Sequence, residues 1–288
     1  MSERIDVRKT YKLFIGGAFP RSESGRVYEV FDSKGRFLAN AAQGSRKDAR
    51  DAVSAARSVA AKWASATAYN RGQILYRIAE MLEGRREQFA TEVAAAEGKT
   101  LRQADALVSA AIDRWVWYAG WTDKFAAVVG GTNPVAGPYF NFSFPEPTGV
   151  VAAVAPQESS LLGLVSVIAP IIATGNTVVV IASQDRPLPA VTLSEVLATS
   201  DLPGGVVNII TGAPAEIAPW LASHADVNAI DLTGILDKAL AADLEVAAAD
   251  TVKRVLRADP KADWAELQGL DRLRAFTETK TVWHPIGQ

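Results

Sequence analysis

Residues 149–256 alternate short apolar runs with helical stretches, and this alternation constrains the fold more than any other feature of the chain. After Gly149 comes VVAAVAP, apolar throughout, as a strand covered on both faces must be. Residues 161–174 read as a helix, TVVVIA as a second strand and residues 190–199 as a second helix. VVNII, a helix over residues 215–222 and VNAIDL continue the series. Leu232-Thr233-Gly234 then opens a helix to about Ala249, and TVKRVLR supplies a fifth strand. Short apolar strands joined by helical crossovers predict an α/β fold, a doubly wound, Rossmann-like parallel sheet.

The region before it is different. KLFIGGAFPRSESGRVYEVF alternates around glycine turns and predicts short strands and hairpins. A helical region follows. Ser45 is placed to cap a helix to about Lys62, with Ala49, Val53, Ala56 and Ala60 on one face. A second helix starts near Asn70 with Ile74, Ile78 and Leu82 inward, and a third covers residues 89–96. A fourth covers residues 101–128 and carries Trp115, Trp117 and Trp121, best read as packing residues. In PYFNFSF, Phe140, Phe142 and Phe144 fall on one face of an extended strand, with Asn141 and Ser143 on the other. Such an aromatic strip needs a cover. The segment 257–274 reads as a polar loop with one helical turn, and FTETKTVWHPIGQ as a final extended arm.

Composition excludes several chemistries. The 288 residues hold no cysteine, so disulfides, thiolate metal sites and cysteine nucleophiles are ruled out within them. Two histidines far apart, His224 and His284, argue against a histidine metal centre or a Ser/His/Asp triad. A net charge of −2 gives no sign of a nucleic-acid or anionic-membrane partner. No apolar run reaches the roughly 18–20 residues of a membrane span, and MSERIDVRKT has no signal-peptide core, so a cytoplasmic location is expected.

Six segments in order resemble the aldehyde dehydrogenase superfamily: LFIGGAF, WVWYAGWTDK, PEPTGVVAAVAP, APIIATGNTVVV, DLPGGVVNIITG and SHADVNAIDLTG. The resemblance implies an NAD(P)-binding-type domain over residues 1–135 and 149–258 and an oligomerisation arm from residues 136–148 and 272–288. It also implies aldehyde oxidation through a cysteine thiolate, an oxyanion-stabilising asparagine, a dinucleotide and a glutamate base. That machinery is largely missing. The loop after the first strand of the sheet is Pro156-Gln157-Glu158-Ser159-Ser160, with Glu158 where the family has its asparagine. A carboxylate there repels a developing oxyanion, so a solvated or partner-facing Glu158 is expected. Ile181 replaces the lysine that hydrogen-bonds the adenosine ribose, Ala182 the proline after it and Gln184 a glutamate, with Ser183 between them. The pyrophosphate turn reads Thr233-Gly234-Ile235, with Ile235 for a small hydroxyl residue and Asp237 adding negative charge where phosphate would approach. Ala258 stands in register with the glutamate base. The catalytic domain is absent between two retained flanks.

No catalytic residue is therefore assigned. The cofactor-facing positions Pro156, Ile181, Ser183, Gln184, Thr233, Gly234 and Ile235 are read as vestigial. No cofactor is expected, with residual NAD(P) binding as the alternative. The arm strands resemble ribbons that pair with a neighbouring subunit, so the expected partner is a full-length aldehyde dehydrogenase, or else a second copy whose arms pair with each other. Two rival readings stay open: an oxidoreductase using a partner-supplied site, and a nucleotide sensor without turnover.

Overall fold

The computed structural model of the chain describes residues 9–266 and 269–287. A hairpin, β1 (Val27–Phe31) and β2 (Phe37–Ala42), precedes the helices α1 (Arg46–Ser65), α2 (Ala68–Glu83), α3 (Arg86–Glu97), α4 (Leu101–Trp121) and α5 (Phe125–Val129). Ser45 caps α1. Its hydroxyl accepts from the Asp48 amide while the Asp48 carboxylate accepts from the Ser45 amide. The expected inward face of α1 is buried; in α2, Leu75 is buried and Ile74 only half-buried. α4 stops short of the predicted Val128. Thr122 Oγ1 donates to the Ala119 carbonyl and Lys124 Nζ to that of Gly120. Side chains thus take carbonyls that a continuing helix would use.

The next elements are β3 (Gly131–Asn133), β4 (Tyr139–Pro147), β5 (Val150–Val154), α6 (Leu162–Ala173), β6 (Thr177–Ile181), α7 (Leu188–Ala198) and β7 (Val207–Ile210). After them come α8 (Pro214–Ser223), β8 (Ala229–Asp231), α9 (Lys238–Ala249), β9 (Arg254–Leu256), α10 (Asp271–Ala275) and β10 (Thr277–Pro285). Strands β5 to β9 form one parallel sheet in the order β7-β6-β5-β8-β9. The chain winds outward from β5 to one edge, then returns to build the other, which is the doubly wound arrangement. Every residue of β5, β6, β7 and β8 is buried, the physical reason these strands are mostly apolar; Thr177, Asn208 and Asp231 are their buried polar members. Among the described residues, no helix is long and apolar enough to cross a membrane.

The predicted helix at Leu232 starts later, at Lys238. The Asp237 carboxylate accepts from the amides of Ala239 and Leu240 and sets the N-terminus there. Residues 232–235 instead form a tight turn, closed by the Ile235 amide on the Leu232 carbonyl at 2.8 Å.

The arm is a separate three-stranded antiparallel sheet in the order β10-β4-β3. β10 pairs with β4 in unbroken register from Thr277↔Pro147 to Pro285↔Tyr139, within one chain. β3 belongs to this sheet, so the arm takes in residues before the expected start at 136. Residues 271–275 form α10, packed on α6 rather than in the arm. Phe140, Phe142 and Phe144 stack along one face at centroid spacings of 5.4 and 5.9 Å. On the other face, Asn133 Nδ2 donates to Asn141 Oδ1 and Ser143 Oγ, and Ser143 bonds Thr281. The outer edge of β10 has no strand beside it among the described residues.

Candidate functional site: the mouth at the strand ends

In an open parallel sheet, a ligand site forms where the strand order reverses, beyond the carboxyl ends of the strands. Here that point lies between β5 and β8. The loop after β5 begins with buried Pro156, whose ring packs so close to Gly163 that a Cβ on Gly163 would come within 2.8 Å of it. Gln157 Nε2 donates back to the Ala155 carbonyl at 2.7 Å, and Gln157 Oε1 accepts from the Gln184 amide at 2.9 Å. Ser183 Oγ donates to the Gln157 carbonyl at 2.8 Å. Ser183 and Gln157 therefore tie the loops after β5 and β6 to each other.

Ile181 ends β6, in register with Val154 on one side and Ile210 on the other. It is 0% exposed, and Ile235 is 5% exposed. Both belong to one apolar cluster with Val154, Ile210 and Leu232. Thr233 is buried, and its amide and hydroxyl both donate to Asp231 Oδ1. Gly234 donates to the Val154 carbonyl at 2.9 Å, and a Cβ on it would lie 2.0 Å from the Ala155 carbonyl oxygen. A rigid backbone atom cannot yield to such a contact, so only glycine fits there. These positions lie in and beside the loops at the strand ends, and both isoleucines there are buried.

The segment after β9 lies across the same mouth. Trp264 Nε1 donates to Glu158 Oε1 at 2.8 Å. Glu158 is exposed, as expected, yet its carboxylate is held by its own chain rather than facing only solvent or a partner. Arg114 of α4 is 0% exposed and donates to Ser166 Oγ at 2.7 Å and to the Trp264 carbonyl at 2.8 Å. No carboxylate pairs with it among the described residues, and burial holds its pKa below the usual arginine value. Arg272 of α10 pairs with the fully buried Asp231 at 2.5 Å. Burial also raises the Tyr118 phenol, next to both guanidinium groups. Arg114, Trp264 and the Asp231–Arg272 pair escaped the sequence reading. A signal existed for Arg114: it shares the buried arc of α4 with Ala111, Trp115 and Tyr118. No local signal marked Trp264, whose contacts span more than 100 residues of sequence.

A family model described as "Aldehyde dehydrogenase family" matches residues 19–258. The chain belongs to the aldehyde dehydrogenase family. It is 34% identical over 235 residues to retinal dehydrogenase 2 of Gallus gallus, covering 80% of this chain and 45% of that protein. It is 30% identical over 250 residues to the putative aldehyde dehydrogenase DhaS of Bacillus subtilis, covering 85% and 50%. The NAD+ complex structure of an aldehyde dehydrogenase from Bacillus cereus superposes with a TM-score of 0.81 at 29% identity, over 86% of this chain and 50% of that one. The chain thus spans about half the length of the relatives it matches. Within this chain the family match ends at residue 258, and the arm strand β10 begins at Thr277. Among the described residues, no group of three or more His, Asp or Glu side chains is placed to hold a metal ion.

Proposed function

We propose that this chain is a non-catalytic, cytoplasmic aldehyde-dehydrogenase-like subunit that assembles with a full-length aldehyde dehydrogenase and has a structural or regulatory role there. The observation that carries the reading is the burial of Ile181 and Ile235 in one apolar cluster at the strand ends of a chain without cysteine. The residues present do not fit a dinucleotide. An isoleucine at the end of β6 offers no hydrogen bond to a ribose hydroxyl, and leaving such a group unpaired costs about 1–3 kcal/mol. Asp237 already satisfies the first free amides of α9 and brings a negative charge to that helix end. Without a cysteine, the chain has no thiolate to attack an aldehyde.

The rivals are weaker on the same observations. A site borrowed from a partner would use the loop after β5, and Trp264 of the same chain already holds Glu158 in that loop. A dinucleotide sensor needs polar groups where the two isoleucines pack. The arm favours assembly: β10 presents a nine-residue strand with a free outer edge, and Phe140 on the aromatic face is 46% exposed. Such edges are templates for strand addition, with backbone hydrogen bonds giving affinity. Co-expression with a full-length aldehyde dehydrogenase, followed by size-exclusion chromatography with light scattering, is the test. The reading predicts a defined hetero-oligomer and no aldehyde oxidation by this chain alone. A stable lone monomer in the presence of the enzyme, or turnover without it, would refute it.

A further inference from the structure

A second concavity lies on the N-terminal hairpin, away from the strand-end mouth, with a volume of about 370 Å³. Three chain segments wall it: residues 9–12, 21–27 and 37–42. Hydrogen bonds fasten these walls to one another and to the body. The Leu13 amide donates to the Pro20 carbonyl, the Ala42 amide to that of Tyr11 and the Gln43 amide to that of Arg26, at 3.0–3.1 Å. Ser22 Oγ donates to Asp48 of α1 at 2.7 Å.

The walls carry Lys9, Lys12, Arg21 and Arg26, and among the described residues no aspartate or glutamate lines the cavity. That is four cations in one concavity of a chain whose net charge is −2. Lys9 is committed, 2.8 Å from Glu195 and 3.2 Å from Thr192 Oγ1, with its ammonium over the Tyr11 ring. Among the described residues, no carboxylate lies in ion-pair range of Lys12, Arg21 or Arg26. Like charges held together repel, and a bound anion removes that cost. Arginine matches phosphate with paired N–H donors, while lysine adds a point charge. The volume falls in the range of small-molecule sites, about 300–1,000 Å³, and exceeds what inorganic phosphate fills. Tyr11 and Val27 supply apolar wall beside the cations.

We propose that this cavity binds an organic phosphate of mononucleotide size, its phosphate held by Lys12, Arg21 and Arg26 and its body against Tyr11 and Val27. None of these residues belongs to the strand-end mouth, so the proposal stands apart from the assembly reading. The test is calorimetric titration of the whole chain with AMP, adenosine and inorganic phosphate. AMP is expected to bind saturably, at least about tenfold tighter than adenosine or phosphate, and to weaken as salt rises, because partly exposed charges are screened. K12E/R21E/R26E is expected to abolish AMP binding. K12Q/R21Q/R26Q, a milder change in half-buried and exposed side chains, is expected to weaken it at least about tenfold while leaving the circular-dichroism melt unchanged. No binding of AMP at millimolar concentration, or binding unaltered in the folded variants, would overturn the site. Inorganic phosphate binding as tightly as AMP would overturn the organic ligand.

Discussion

Replacing Ile181 with lysine, the residue that the family resemblance puts there, should cripple the fold rather than restore a cofactor site. Ile181 is fully buried among Val154, Ile210, Leu232 and Ile235. Losing a fully buried isoleucine costs about 1.5–3 kcal/mol. A lysine in that place must shed its proton, and driving its pKa from about 10.4 to below 7 costs about 4–5 kcal/mol at neutral pH. The sum, about 5.5–8 kcal/mol, is a large share of the 5–15 kcal/mol that stabilises a typical domain. At about 2–4 °C per kcal/mol, the melting midpoint of Ile181→Lys should fall by about 11–32 °C. The pH dependence has a definite sign. The substituted lysine is neutral in the folded state and protonated in the unfolded state, so the unfolded state binds more protons and stability rises with pH. The deficit should therefore shrink between about pH 7 and pH 9.5. Melts by circular dichroism at both pH values read this directly. A variant that melts within a degree or two of wild type, with no pH dependence, would show that side chain 181 reaches water, and the argument for a filled mouth would fail.

Two other substitutions probe the body. Val252 follows α9 at φ 54° and is 91% exposed, a left-handed conformation that strains a β-branched residue with no burial in return. Val252→Asn should raise stability by about 0.5–1.5 kcal/mol, and a lowered melting midpoint would contradict this. Glu92 of α3 is half-buried, accepts from Thr192 and Gln88, and has one buried carboxylate oxygen without a partner among the described residues. Burial raises its pKa above the usual glutamate value, outweighing Lys9 and Arg85 nearby. Its contribution to stability is therefore fully present at low pH and lost as pH rises through the folded-state pKa. Glu92→Gln should melt close to wild type near pH 4 and gain on it toward pH 8; a difference that is flat or reversed across that range would refute the assignment.

The sheet was legible because its signal is local. Strands buried on both faces have apolar runs, as in VVAAV, and the crossover helices between them leave few alternative topologies. Element ends were harder. The start of α9 depends on one capping carboxylate, Asp237, and the break after Trp121 on two side chains that take up carbonyls. At the mouth, the apolar replacements at 181 and 235 could be read from sequence, but their burial in one cluster could not. The contacts of Arg114, Trp264 and Arg272 were hidden because each joins segments far apart in sequence: α4 to the segment after β9, that segment to the loop after β5, and α10 to β8. Side-chain contacts of that range leave no periodic trace. The arm was legible as extended strands but not in its pairing: β4 and β10 are partners in one chain, and among the described residues no strand lies on the outer edge of β10.

Amide hydrogen exchange across Thr277–Pro285, measured on the chain alone and after mixing with a full-length aldehyde dehydrogenase, tests the assembly reading most directly. The outward-facing amides of β10 should exchange fast in the isolated chain and slow by at least about tenfold in the mixture, as a neighbouring strand takes them up. Exchange in β10 that is unchanged by the enzyme would contradict the account.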